Sequence, residues 1–224
     1  MSETTEVLES NGSSAAWRET VREAMRRACR AEAERRHGER NPSFDYRWEH
    51  VSAVATLALR LAELTGADAD IVEAAAWLHD VRKDAMLDHP RQGAIFAREF
   101  LPETDFPPAK IEAVARAIED HMGLWRDEPL ENLESQVLWD ADKLTKIGLT
   151  AAVHWSGKAL AGEKQRSTRD LIARARTADW HRRTVESMHT KPAQAAARKR
   201  LKAFDALWDG LEAELEGEDL LPEG

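Results

Sequence analysis

Residues Ile71–Pro90 read IVEAAAWLHDVRKDAMLDHP, and this stretch decides the fold. Its first half is alanine-rich and apolar on every side, the composition of a helix buried all round. His79 and Asp80 then stand together where the apolar run would otherwise continue. His79 falls one turn after Ala75 and two after Ile71. Asp80 follows Ala76 in the same phase, so both face inward. A buried carboxylate is costly unless it is paired or bound to a metal. The adjacent pair is a stronger signal of a site than either residue alone; the alternative is a helix end where His79 caps carbonyls and Asp80 is solvated.

Working outward, the chain of 224 residues reads helical almost throughout. Alanine, leucine, glutamate and arginine dominate, and no alternating β-branched run is long enough to predict a strand. Pro and Gly punctuation predicts roughly eight helices, near 15–36, 44–64, 68–80, 90–101, 108–122, 131–156, 163–187 and 192–216. The expected architecture is an all-α, single-domain bundle. Residues 1–14 read as a disordered tail and 15–43 as an amino-terminal helix and linker packing on the core. Residues 44–216 read as the main helical domain and 217–224 as a second tail. The first helix (REAMRRACRAEAERR) is so charged that it is expected on the outside. The last carries Leu201, Phe204, Trp208, Leu211 and Leu215 at helical spacing, a core-covering stripe.

Bulk properties exclude several classes. The net charge of −9 argues against a nucleic-acid binder, whose footprint is basic. It leaves room for a small phosphorylated substrate held by a local cluster of Lys and Arg. No apolar run approaches the roughly 20 residues that span a bilayer. The opening MSETTEVLESNGSS lacks the basic and apolar parts of a secretion signal. One cysteine, Cys29, allows no intrachain disulfide and fits a reducing cytoplasm. The sequence gives no reading of oligomeric state.

Other ligand-type residues also fall on apolar faces. His50 opens the helix that continues through Val54 and Leu61. His121 shares a face with Ile111, Val114 and Ile118, and His89 precedes Pro90 at a helix start. In WDADKLTKIG, Asp142 lies beside the stripe Val137, Ala141, Leu144 and Gly148, so it is the better candidate of the two aspartates for burial. Each of these histidines alone reads more simply as a core residue. His37, His154, His181 and His189 are expected to be surface or ordinary structural residues.

The phrases RWEHV, AAWLHDVRKD, DHPRQGA, AIEDH and WDADKLTKIG, in that order on helices, resemble the HD-domain superfamily of metal-dependent phosphohydrolases. MHTKPAQAAARKRLKAF (Met188–Phe204) is similar to the tail of small bacterial HD hydrolases that act on nucleotides. The resemblance spans roughly residues 44–210. It implies that His50, His79, Asp80 and Asp142 coordinate a divalent transition metal, and that a metal-activated water attacks phosphorus. Mn, Fe, Co, Ni or Zn suits imidazole and carboxylate ligands. His89 and His121 match the positions by which some members hold a second ion, so one or two ions are implied. Lys83 matches the lysine of H-D-x-x-K and is the first candidate for a phosphate contact; Arg82, Arg91 and Lys143 are further ones. Two departures stand out. Arg82 replaces a usual small residue, and Thr145 stands where some nucleotide-hydrolysing relatives carry an aspartate. The implied function is hydrolysis of a nucleotide or other small phosphate ester. The alternatives are a diiron oxygenase on the same six ligands, with Tyr46 and Glu49 near its pocket, and a ligand-binding regulatory protein with little turnover.

Overall fold

A computed structural model describes residues 16–38, 45–160 and 167–220. Ten α-helices are present among them and no strand, so the expected all-α class holds. The described residues fall into two compact units, those within 1–122 with 130–139, and those within 123–129 with 140–224.

The first unit holds α1 (Ala16–His37), α2 (Tyr46–Thr65), α3 (Ala69–Leu78), α4 (His89–Phe100) and α5 (Ile111–Asp120). Helix α3 is its centre: from Ile71 to Leu78 only Glu73 escapes burial. Asp68 caps it by accepting from the backbone N–H groups of Asp70 and Ile71. Helices α1, α2 and α5 pack around it, and α4 packs on α5. Helix α1 lays a buried stripe against the rest of this unit. Trp17, Val21, Met25, Cys29 and Ala33 recur every four residues and are all buried. The charges lie on the remaining faces, so net polarity hid a complete apolar stripe. Gly93 lets α4 come close to its neighbours. A Cβ there would sit 3.1 Å from Ile118 Cγ2 and 3.5 Å from the carbonyl oxygen of His79.

Helix α6 (Leu133–Leu144) contributes residues 133–139 to the first unit and 140–144 to the second. The second unit continues with α7 (Leu149–Leu160), α8 (Thr168–Thr177), α9 (Trp180–Glu186) and α10 (Lys191–Glu216). Helices α7, α8 and α9 pack on α10 around Ile172, Phe204 and Trp208. The predicted stripe of α10 is graded: Phe204 and Trp208 are buried, Leu211 is half-buried, and Leu215 is exposed.

The count of ten against roughly eight comes from two breaks. The helix expected over 131–156 divides at Gly148, whose φ is +89°. A Cβ there would lie 2.9 Å from Arg200 Cβ, and Arg200 donates to the Leu144 carbonyl at the end of α6. The helix expected over 163–187 divides at Ala178, which is extended. The expected tail 1–14 lies outside the described residues, and of 217–224 residues 217–220 are described, Glu218–Leu220 as a 3₁₀ turn.

Candidate metal centre

The site grows out of the way α3 ends. His79 Nδ1 donates to the carbonyl of Ala76 at 2.8 Å, taking an acceptor the helix would otherwise use for its next turn. The chain then tightens, with Val81 N–H bonded to Leu78 O and Lys83 N–H to Asp80 O. Two more histidines repeat the device at element ends. His89 Nδ1 donates to Met86 O and His121 Nδ1 to Ile118 O, each at 2.5 Å. A ring whose Nδ1–H is tied to a carbonyl presents Nε2 as its metal-binding atom. The carbonyl that orients His89 belongs to a strained residue. Met86 has φ +53° and ψ −116°, a conformation costly for a side chain with a Cβ.

Asp80 lies among these rings, and its two oxygens face different pairs. Oδ2 is 3.8 Å from His50 Nε2 and 3.7 Å from His79 Nε2. Oδ1 is 3.4 Å from His89 Nε2 and 3.8 Å from His121 Nε2. The last two nitrogens are 3.1 Å apart. Two bonds of about 2.1 Å to one ion hold donor atoms roughly 3 to 3.7 Å apart, depending on the angle. Both sides of the carboxylate thus approach coordination spacing. His79, Asp80 and His121 form one buried group with donor atoms within 4.8 Å of one another. All five residues are buried.

Cations already attend the carboxylate. Lys83 Nζ lies 2.9 Å from both Asp80 Oδ1 and His89 Nε2. Arg47 pairs with Asp80 Oδ2 and donates through Nε to Glu32 of α1 at 3.0 Å. Burial opposes ionisation of Asp80. The neighbouring His79 and His121 and the charges of Arg47 and Lys83 outweigh it and hold the carboxyl well below its ordinary range. Burial, reinforced by Lys83 and His121, lowers His89 to about 4, so its imidazole is neutral at pH 7. An ionised carboxylate beside a neutral imidazole is the donor chemistry of a divalent transition-metal site, and these residues fit one.

The remaining candidates take other positions. Arg82 bonds Asp84 at 3.3 Å. Arg91 grips Asp88 with two bonds of 2.8 and 2.7 Å on the surface. In the second unit Asp142 is buried and pairs with Lys143, itself buried, and with Lys146. Asp140 is buried as well. It accepts from the backbone of His189 and Thr190 and from Thr190 Oγ1, at 2.7–2.9 Å, which anchors the start of α10. Sequence reasoning missed Arg47, Glu32 and Met86. Arg47 had one legible signal, its place one turn before His50 in RWEHV; the other two had none.

Residues 47–147 match the HD domain family, and this part of the chain is an HD domain. The fold is shared with a predicted HD superfamily hydrolase from an uncultured Thermotogales bacterium, at 21% identity and TM-score 0.63 over 88% of this chain and 92% of that one. It is shared with Bacillus subtilis YpgQ, solved in complex with ADP, at 23% identity and TM-score 0.62 over 89% and 98%. An HD-superfamily hydrolase from Bacillus thuringiensis matches at 16% identity and TM-score 0.60 over 88% and 97%. Among curated protein sequences there is no significant match. No helix of the described residues is long and apolar enough to cross a membrane.

Proposed function

We propose that the chain is a metal-dependent phosphohydrolase acting on a nucleotide or another small phosphate ester. One observation carries the reading: Asp80 turns one oxygen to His50 and His79 and the other to His89 and His121. These are the side chains that would hold a divalent ion on either side of the carboxylate. Asp142 joins the first pair on the strength of its motif alone. A divalent ion bound there supplies Lewis acidity, lowering the pKa of a coordinated water and drawing charge from phosphoryl oxygens.

The chain's own residues do the rest. Neutral His89 and ionised Asp80 hold the ligand set ready at neutral pH. Lys83, partly exposed on a flexible stem, meets the phosphate. Arg82, Arg91 and Lys143 are the other substrate-binding candidates, Arg91 and Lys143 on motif position alone. ADP in a neighbour of the same fold agrees with a nucleotide substrate. The test is an anaerobic panel of nucleotides and small phosphate esters with added Mn, Co, Ni, Zn or Fe. Release of phosphate or pyrophosphate, lost in Asp80→Ala, is expected.

The five-residue cluster also favours a second reading, a diiron oxygenase. Iron-dependent O₂ uptake without phosphate release would select it.

A further inference from the structure

A cleft of about 160 Å³ opens beside the metal-type cluster, between α1 and the turn that follows α3. Asp80 is part of its lining, so whatever the cleft holds lies next to the reacting centre. Helix α1, outside the matched HD region, supplies Met25, Ala28, Ala31, Glu32 and Arg35; the turn supplies Val81, Arg82, Lys83 and Asp84. The volume is too small for a whole nucleotide, since pockets for such ligands run from about 300 Å³ upward.

The charges of the lining are not balanced evenly. Glu32 is satisfied by Arg36 at 2.8 Å and Arg47 at 3.0 Å. Asp84 is held by Arg82, and Asp80 by Arg47 and Lys83. Arg35 alone of the lining cations has no carboxylate partner among the described residues. Arg35 lies on the α1 side of the cleft and Arg82 and Lys83 on the side of the turn, with Met25, Ala28 and Val81 among the apolar lining. Apolar walls strengthen each charge–charge contact relative to water. The lining itself holds three cations and three carboxylates, and Arg36 and Arg47, paired with those carboxylates from outside it, leave a local excess of positive charge that suits an anion.

We propose that this cleft is a subsite for a second phosphate of the substrate, gripped by Arg35 of α1 with Arg82 and Lys83. The substrate class is then a phosphoanhydride, with at least two linked phosphates, in preference to a monoester. This rests on the phosphohydrolase reading for the identity of the reacting site, but its test does not.

The test compares binding of α,β-methylene-ADP and AMP by calorimetry, with Mn in excess, to wild type, Arg35→Ala and Arg27→Ala. The two ligands share a nucleoside, so their difference reports the second phosphate, and the methylene bridge resists hydrolysis. Arg27 is an exposed α1 arginine outside the cleft. Wild type and Arg27→Ala are expected to prefer α,β-methylene-ADP. Arg35→Ala is expected to lose about tenfold on that ligand and nothing on AMP, the scale of one charge-assisted bond. Thermal melts confirm that each variant is folded. Undiminished preference in Arg35→Ala, or no preference or no binding in wild type, overturns the proposal. If the preference depends on Arg35 while no phosphate compound is hydrolysed, the cleft stands and the hydrolase reading falls.

Discussion

The end of α3 in the first unit and the DAD segment in the second present the same materials: buried aspartates beside histidines. Asp80 lies within 3.4–3.8 Å of four imidazole nitrogens, and its hydrogen-bonding partners are side-chain cations. Asp140 gives its oxygens to two backbone N–H groups and a hydroxyl, and one nearby histidine, His189, approaches at 3.5 Å. The histidines differ as well. His79, His89 and His121 tie Nδ1 to a carbonyl and aim Nε2 at a carboxylate. His181 makes a longer version of the same bond, 3.4 Å to Ala178 O, and its ring lies between Trp180 at 3.6 Å and Phe204 at 4.4 Å. Burial and residue type do not separate a site from a structural cap. What faces the second polar atom does.

Substitutions can break or sharpen that comparison. Asp80→Ala should remove metal binding and turnover together, whereas Asp140→Ala should leave metal content unchanged; the reverse pattern would dissolve the distinction. Arg47→Ala comes next. Loss of the partner that fixes Asp80 should weaken metal affinity by about 10- to 100-fold, since a group bonded to a ligand carries effects of that size. Metal titration of the folded variant measures it, and unchanged affinity would make Arg47 merely structural. Asp140→Ala itself should cost about 2–4 kcal/mol in urea unfolding, because it strips bonds from buried N–H groups at the start of α10.

The smallest effect concerns Cys29. Burial, helped by the negative charge of Asp45, pushes its thiol up to about 12. The ordinary value in the unfolded chain is near 9. The raised pKa means that its contribution to stability is complete below pH 9 and is lost as pH rises from there towards 12. A thiol reagent at pH 8 should therefore leave the native protein unmodified and label it once unfolded.

Much of this was legible in the sequence, for definable reasons. The helical class followed from composition. The inward phase of His50, His79, Asp80 and His121 followed from a 3.6-residue period that tertiary structure did not override. What was not legible depended on partners far along the chain. Gly148 reads as part of a helical stripe until Arg200 is placed against it. The stripe of α1 lay under a majority of charged residues. Both aspartates of the DAD segment proved buried, because the partners of Asp140 arrive from residues 189 and 190. The link from Glu32 through Arg47 to Asp80 joins three elements, and no local pattern announces it.

The central claim is that Asp80 serves two metal positions. Metal content per chain of protein purified without chelator, in wild type, His121→Ala and Asp80→Ala, tests it most directly. The account predicts close to two ions, about one, and none. One ion in wild type, undiminished in His121→Ala, would contradict it.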